Sequence, residues 1–326
     1  MKHITILVPE NAIIASLEGT RRLFNEINEY AVSLNLQPLF QIRLVGLSCH
    51  TSLSAGTFIV KNDGTLNDFI KTDLIIIPAL EGDVNETLSK NKDFIPWLIT
   101  QHEKGSEIAS LCLGAFLLAQ TGLLKGRKCA IHWMAENQFR CMFPDIILIT
   151  EKIITDENRI YSSGGAFSYL NLILYLIEKY AGREMAIYGA KVFGIDINRT
   201  SKLPFTVFHA QKEHDDLQIK HAQEFIEENY QEKISVDQLA ALVSVGRRNF
   251  ERRFKKATAN TVVQYMHRVK IEIAKRGLES GRKNVNDLMY EIGYSDKKAF
   301  RNVFKKNTGV SPVKYKKMFV NFDSLN

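Results

Sequence analysis

Four cysteines in 326 residues, Cys49, Cys112, Cys129 and Cys141, form no CxxC pair and no His/Cys ligand spacing. That argues against a disulfide-stapled scaffold and against a zinc module, so neither metal nor cofactor is expected. His209 and His214 lie near Asp215 and Asp216, but nothing else at ligand spacing supports a metal site. Long apolar runs are also missing. The longest, Tyr169 to Ile177, contains Asn171 and falls short of the roughly 20 residues a spanning helix needs. Met1-Lys2-His3 leads into only a brief apolar stretch before Pro9-Glu10-Asn11, too short for a signal peptide. A cytoplasmic protein with no membrane partner is the expectation.

Net charge is absent from the first part of the chain and present in the rest. Residues 211–326 carry 23 Lys and Arg against 15 Asp and Glu, a net +8. Residues 1–210 carry 20 against 21, a net −1, which accounts for the overall +7. A basic region of this kind suits nucleic acid or an anionic membrane surface. A membrane face would need an exposed apolar stripe, and the stripes here are needed inside. A length of 326 residues suggests about two domains, at roughly 100–200 residues each.

The basic part repeats itself. Val236, Leu239 and Val243 align with Val285, Leu288 and Ile292. After one extra residue in the second copy, Phe250, Phe254, Lys255-Lys256, Thr258, Val263 and Tyr265 align with Phe300, Phe304, Lys305-Lys306, Thr308, Val313 and Tyr315. Such self-similarity marks a duplicated supersecondary unit. Each copy reads as helix, tight turn, helix. In the first, Ser235 and Gln238 form a capping-box pattern, the break is Ser244-Val245-Gly246, and the next helix runs Arg247 to Ala257. Phe250, Phe254 and Ala257 share one face, and Arg248, Arg252 and Lys255 the other. In the second, the break is Gly293-Tyr294-Ser295, with Ser295 as the expected cap. Ala299, Phe300, Val303 and Phe304 face inward, and Lys298, Arg301 and Lys305 outward. The bland reading of one basic stripe is a solvated helix face. Two stripes in register, each behind its own turn, favour helix-turn-helix units whose second helix fits the major groove, about 12 Å wide. Val262 to Ser280 reads as one long helix between the copies, setting them to reach groove segments about 34 Å apart.

Residues 217–319 resemble the DNA-binding domain of the AraC/XylS family of bacterial transcription regulators. The carrying residues are Ser244 to Thr258 and the run Val285 to Tyr315, with Glu291-Ile292-Gly293-Tyr294-Ser295-Asp296, Phe300, Phe304-Lys305-Lys306 and Gly309-Val310-Ser311-Pro312-Val313-Lys314-Tyr315. The resemblance implies base contacts from Arg248, Glu251 and Arg252 in the first reading helix and from Lys297, Lys298, Arg301 and Asn302 in the second. Lys255 and Lys305 join them on the DNA-facing surface. The first copy has Ala259 and Val262 where the second has Gly309 and Pro312, so its closing turn is expected to differ.

Residues 1–198 alternate short apolar runs (Ile4–Val8, Phe40–Leu47, Asp73–Pro78, Ile108–Leu111, Ile146–Thr150, Ile160–Tyr161) with helical stretches. The fold class is therefore α/β, a flavodoxin-like, mostly parallel sheet with helices on both faces. A linker over 199–216 and an all-α domain of two helix-turn-helix units over 217–326 follow. Ligands in such sheets bind at the carboxyl ends of the strands. At one such end, Ser110-Leu111-Cys112-Leu113-Gly114 has small residues two before and two after the cysteine, the pattern of a nucleophile elbow. A thiol at a helix N-terminus is favoured as thiolate. His132 follows beside Trp133.

Residues 4–195 resemble the PfpI/ThiJ-type class I glutamine amidotransferase superfamily. Asp73-Leu74-Ile75-Ile76-Ile77-Pro78, Ala109 to Ala119, Gly122 to Arg127, His132-Trp133 and Ser162-Ser163-Gly164-Gly165 carry the likeness. It maps Cys112 and His132 onto a catalytic cysteine and histidine. The orienting acid is replaced: Met134 stands two residues after the histidine, and Ser16 at the first strand–helix junction, with Glu18 two residues on. Ala79 and Leu80 stand where glycines of an oxyanion loop are expected. A buried cysteine behaving as a small hydrophobe, and a packed histidine, are the structural alternatives. The expectation is a non-enzymatic regulator that binds double-stranded promoter DNA. Its N-terminal domain senses a small-molecule effector, in a pocket drawn from Glu18, Cys112 and His132, or mediates dimerisation into a homodimer. The competing reading is a cysteine-dependent amidotransferase or hydrolase tethered to DNA.

Overall fold

The computed structural model describes residues 1–68, 72–197, 201, 203–205, 208, 212, 214–281 and 283–320. Two compact units emerge, Met1–Lys202 and Leu203–Asn326. Their division falls inside the expected linker, of which residues 199–200, 202, 206–207, 209–211 and 213 lie outside the described residues.

Among its described residues the first unit has eleven strands: β1 (Lys2–Leu7), β2 (Phe40–Gly46), β3 (His50–Leu53), β4 (Phe58–Lys61), β5 (Gly64–Thr65), β6 (Leu74–Ile77), β7 (Glu107–Leu111), β8 (Lys128–Cys129), β9 (Ile147–Leu148), β10 (Ile154–Asp156) and β11 (Ile160–Ser163). Seven form one sheet in the order β10-β11-β7-β6-β1-β2-β5. All pairings are parallel except β10 with β11. The central strands are apolar because both faces are covered: Leu74, Ile75, Ile76 and Ile77 are fully buried. The covering helices are α1 (Ile14–Ser33), α2 (Val84–Lys90), α3 (Phe94–Glu103), α4 (Ala115–Gln120), α5 (Glu136–Met142), α6 (Tyr169–Ala181) and α7 (Arg183–Val192). The strand expected over Ile146–Thr150 does not join this sheet. It survives as β9, paired only with β8, while β3 and β4 make a separate hairpin.

The second unit is helical among its described residues: α8 (Leu217–Glu228), α9 (Val236–Leu242), α10 (Arg247–Thr258), α11 (Val262–Glu279), α12 (Val285–Glu291), α13 (Lys297–Thr308) and α14 (Pro312–Val320). It has two hydrophobic cores. One gathers Ile219, Ile226, Leu239, Phe250, Phe254, Val262 and Tyr265; the other Ile271, Leu278, Leu288, Phe300, Phe304 and Tyr315. α11 serves both, its first half in one and its second half in the other. At 1.5 Å per residue its 18 residues extend about 27 Å. The cores also share Tyr230 and Ile273. Gly293 lies so close to the Gln231 carbonyl that a Cβ would collide with it, and Lys270 Nζ donates to the Glu232 carbonyl at 3.3 Å. The two copies are thus joined along a backbone seam as well as through α11.

Candidate functional site

The first helix-turn-helix begins with a complete capping box. Gln238 N–H donates to Ser235 Oγ at 3.2 Å, and Ser235 N–H to Gln238 Oε1 at 2.8 Å. Leu239, Ala240 and Val243 turn inward. Ser244 then takes a left-handed φ of 54°, and α10 starts after Gly246, which offers no side-chain cap. Phe250 and Phe254 are buried, which leaves Arg248, Glu251, Arg252 and Lys255 exposed on the other side. Arg252 has no carboxylate partner within 4 Å among the described residues; its guanidinium donates to Asn249 Oδ1 at 2.9 Å. Glu251 leans on Arg247 at 3.7 Å.

The second copy has the same plan with different chemistry at its turn. Gly293 (φ 79°) opens it. Asp296, not Ser295, is the N-cap of α13, its carboxylate accepting from the Lys298 and Ala299 N–H groups at 2.7 and 3.2 Å. The extra residue of this copy is Ser295, and Asp296 stands where the first copy has Gly246. Lys297, Lys298, Arg301, Asn302 and Lys305 are exposed. Ala299 is exposed as well, against expectation, because it falls in the first turn, beside the cap and away from the Phe300 and Phe304 side. Among the described residues, no carboxylate lies within 4 Å of the side-chain cation of Arg248, Lys255, Lys256, Lys297, Lys298, Arg301, Lys305 or Lys306. Both reading helices therefore present cations that no carboxylate among the described residues neutralises.

Behind each reading helix the buried contacts repeat. Tyr265 Oη donates to Glu227 at 2.6 Å, and Tyr315 Oη to Glu279 at 2.5 Å. Burial, then the carboxylate, pushes both phenols well above their ordinary pKa. Thr258 and Thr308 each donate to the carbonyl four residues back at 2.8 Å. Ala259 adopts φ 54° and ψ 12°, close to the 74° and −13° of Gly309. The closing turns therefore match, contrary to expectation, and alanine carries the left-handed strain that glycine avoids.

In the first unit, β7 delivers Cys112 into a strained elbow. Cys112 has φ 51°, is 5% exposed and opens a short 3-10 turn, so α4 starts at Ala115 instead of Leu113. Gly114 is required there, since a Cβ would meet the Ile77 carbonyl at 2.9 Å and the Pro78 carbonyl closer still. His132 is half-buried after β8, where its Nδ1 accepts the Met134 N–H at 3.3 Å. Ser16 is buried. Its Oγ accepts the Ala79 N–H at 3.0 Å and donates to the Ile13 carbonyl at 2.8 Å. The Ala79 carbonyl accepts from Ile13 N–H at 2.8 Å. Both backbone groups at Ala79 are thus committed to the Ile13–Ser16 turn. Glu18 is exposed and forks onto Arg21 at 2.7 and 2.8 Å, raising the guanidinium pKa.

Beside the elbow, Leu113 and Phe116 border a cavity of only about 10 Å³, roughly one water. A cleft of about 520 Å³ opens at the carboxyl ends of β1 and β2, lined by Glu10, Asn11, Ser48, Thr51 and Lys90 among others. Cys112, His132 and Glu18 do not line it. Sequence patterning offered no signal for this cleft, whose wall is the unanticipated β3–β4 hairpin. Of the two histidines considered for a metal, His209 lies outside the described residues, and His214 Nε2 meets Gln223 Oε1 at 2.9 Å. No group of three His, Cys, Asp or Glu suited to a metal ion occurs among the described residues. No helix among them is long and apolar enough to cross a membrane.

Comparison with known proteins agrees with both units. The helix-turn-helix domain family matches residues 239–318, and the DJ-1/PfpI family residues 40–179. The HTH-type transcriptional regulator GbdR of Pseudomonas aeruginosa is 26% identical over 242 residues, 71% of this chain and 63% of the relative. The HTH-type transcriptional regulator CdhR of the same species is 23% identical over 271 residues, 80% of this chain and 76% of the relative. The match thus spans just under two thirds of GbdR. A solved chain from Vibrio parahaemolyticus gives a TM-score of 0.53 at 26% identity, covering 59% of this chain and 98% of that one. An AraC family transcriptional regulator from Pseudomonas putida gives 0.51 at 16% identity, covering 59% and 100%, a likeness of fold alone. The chain carries an N-terminal domain of the DJ-1/PfpI family and a C-terminal AraC-type helix-turn-helix domain.

Proposed function

We propose that this chain is a sequence-specific DNA-binding transcription regulator, organised as a sensor domain over 1–198, a linker over 199–216 and a DNA-binding domain over 217–326. The observation that carries the reading is the pair of reading helices, α10 and α13, each presenting cations without intramolecular carboxylate partners. Arg248, Glu251 and Arg252 on one, and Lys297, Lys298, Arg301 and Asn302 on the other, contact base edges. Lys255 and Lys305 contact phosphate. The partner is double-stranded promoter DNA. The N-terminal domain binds a small-molecule effector at the carboxyl ends of its strands, where Cys112 and His132 emerge, or pairs two copies of the chain. It is not an enzyme: the Ala79 amide that carbonyl chemistry would use is held by Ser16 Oγ. The location that fits this role is the cytoplasm.

Selection of bound sequences from random DNA at fixed salt should return a two-segment site. Arg252→Ala and Arg301→Ala should each relax preference in a different segment and cost about 1–3 kcal/mol. Recovery of no preferred sequence, or unchanged preference in both variants, would discard the assignment.

A further inference from the structure

Ahead of α8, Phe208, His214 and Asp216 are bonded into the first helix-turn-helix. Phe208 N–H donates to Glu272 Oε2 on α11 at 3.1 Å. Its ring meets Tyr265 edge-on at 5.3 Å and lies under the Arg268 guanidinium at 5.5 Å. Tyr265 Oη accepts from Gln223 at 3.0 Å, and Gln223 Oε1 meets His214 Nε2 at 2.9 Å. His214 Nδ1 accepts the Asp216 N–H at 3.2 Å. The Asp216 carboxylate caps α8 and receives a two-pronged bond from Arg253 of α10, at 2.9 and 2.6 Å. Arg253 also donates to Gln218 at 2.7 Å, and Gln218 to the Val243 carbonyl at 2.9 Å, where α9 ends. One guanidinium therefore ties the start of α8 to both helices of the first motif. The bond to Arg253 holds the Asp216 carboxyl below its ordinary pKa. The second copy has Val303 at the position of Arg253, packed against its core.

We propose that Arg253 and Asp216 are positioning residues for the first reading helix, backed by the contacts of Phe208 and His214 with the same motif. Arg253 is not assigned to the DNA surface: each of its three guanidinium nitrogens donates to Asp216 or Gln218. The bidentate geometry is specific to arginine, so lysine does not replace it. At the equivalent position the second reading helix has Val303, which cannot form such an ion pair, so loss of the clamp acts on α10. This inference rests on the DNA-binding reading above.

The test uses the full chain on its selected two-segment site, with footprinting of each segment across a salt series. Arg253→Gln, Arg253→Lys and Phe208→Ala should each weaken protection of the first segment by about tenfold and leave the second unchanged. The salt slope at the first segment should be preserved, whereas a lost phosphate contact would lower it by about 1. Should Phe208→Ala perturb folding, Asp216→Asn reports the same clamp from the other side. The proposal is overturned by equal weakening of both segments, by a reduced slope, by wild-type binding in Arg253→Lys, or by no effect of Phe208→Ala. A wild-type protein that protects no DNA would instead remove the regulator reading itself, and this inference with it.

Discussion

Phe250 and Phe254 stand 5.6 Å apart in the first helix-turn-helix; Phe300 and Phe304 stand 5.7 Å apart in the second. Each pair meets its closing tyrosine at 5.3 or 5.5 Å, nearly perpendicular. Around this shared aromatic centre the copies differ. The first turns on Ser244, starts its reading helix without a side-chain cap, closes on Ala259 and is clamped from outside by Arg253. The second turns on Gly293, caps with Asp296 and closes on Gly309. The second copy is thus held by its own backbone chemistry, and the first depends on a neighbouring segment. Duplication preserved the packing and let the connections diverge.

That contrast can be broken most forcefully at the turns. Gly293→Ala must adopt φ 79° and drive its Cβ into the Gln231 carbonyl, so it should cost about 2–4 kcal/mol. Ser244→Gly relieves a left-handed serine and should be neutral or stabilising by up to about 1 kcal/mol. Urea unfolding of the full chain, followed by helical circular dichroism, reads both; equal effects would erase the distinction. The caps come next. Asp296→Ala should cost about 1 kcal/mol, and Gly246→Asp should gain a few tenths of a kcal/mol in the first copy. Thermal denaturation with and without selected DNA would register the change, and no loss in Asp296→Ala would mean the cap is idle. The smallest effect is at the closing turns. Ala259→Gly should stabilise by a few tenths of a kcal/mol to about 1, and Gly309→Ala should do the reverse. Hydrogen exchange at the Thr258 and Thr308 turns would show it, and the idea fails if both changes act in one direction.

Periodicity was enough to place α9 to α13 because their inward residues recur at helical spacing around aromatic pairs. The Ser235 capping box was readable since both partners are local in sequence. The Ala259 turn was misread because a preference for glycine is only about 1 kcal/mol, which tertiary packing overrides. Ser295 was taken as the cap because the inserted residue that brings Asp296 into place had no counterpart in the first copy. The elbow at Cys112 was legible from the small residues at Ser110 and Gly114, and Gly114 proves to need that smallness. Glu18 was offered for the pocket on its proximity to Ser16, yet in a helix two residues turn the side chain by about 200°, and it faces solvent with Arg21. The β3–β4 hairpin was missed because Phe58 and Ile59 are exposed, so their strand shows no inward alternation. The Arg253 clamp depends on contact between residues 37 apart, which no local pattern records.

The seam where Gly293 presses on the Gln231 carbonyl has a consequence for the promoter. With α11 shared and that second junction in place, the two motifs are held to each other, and neither follows a displaced target by itself. An operator lengthened by a single base pair rotates one of its segments by about a tenth of a turn. The burden of accommodating that shift falls on the double helix, through twist and bend, and not on the polypeptide.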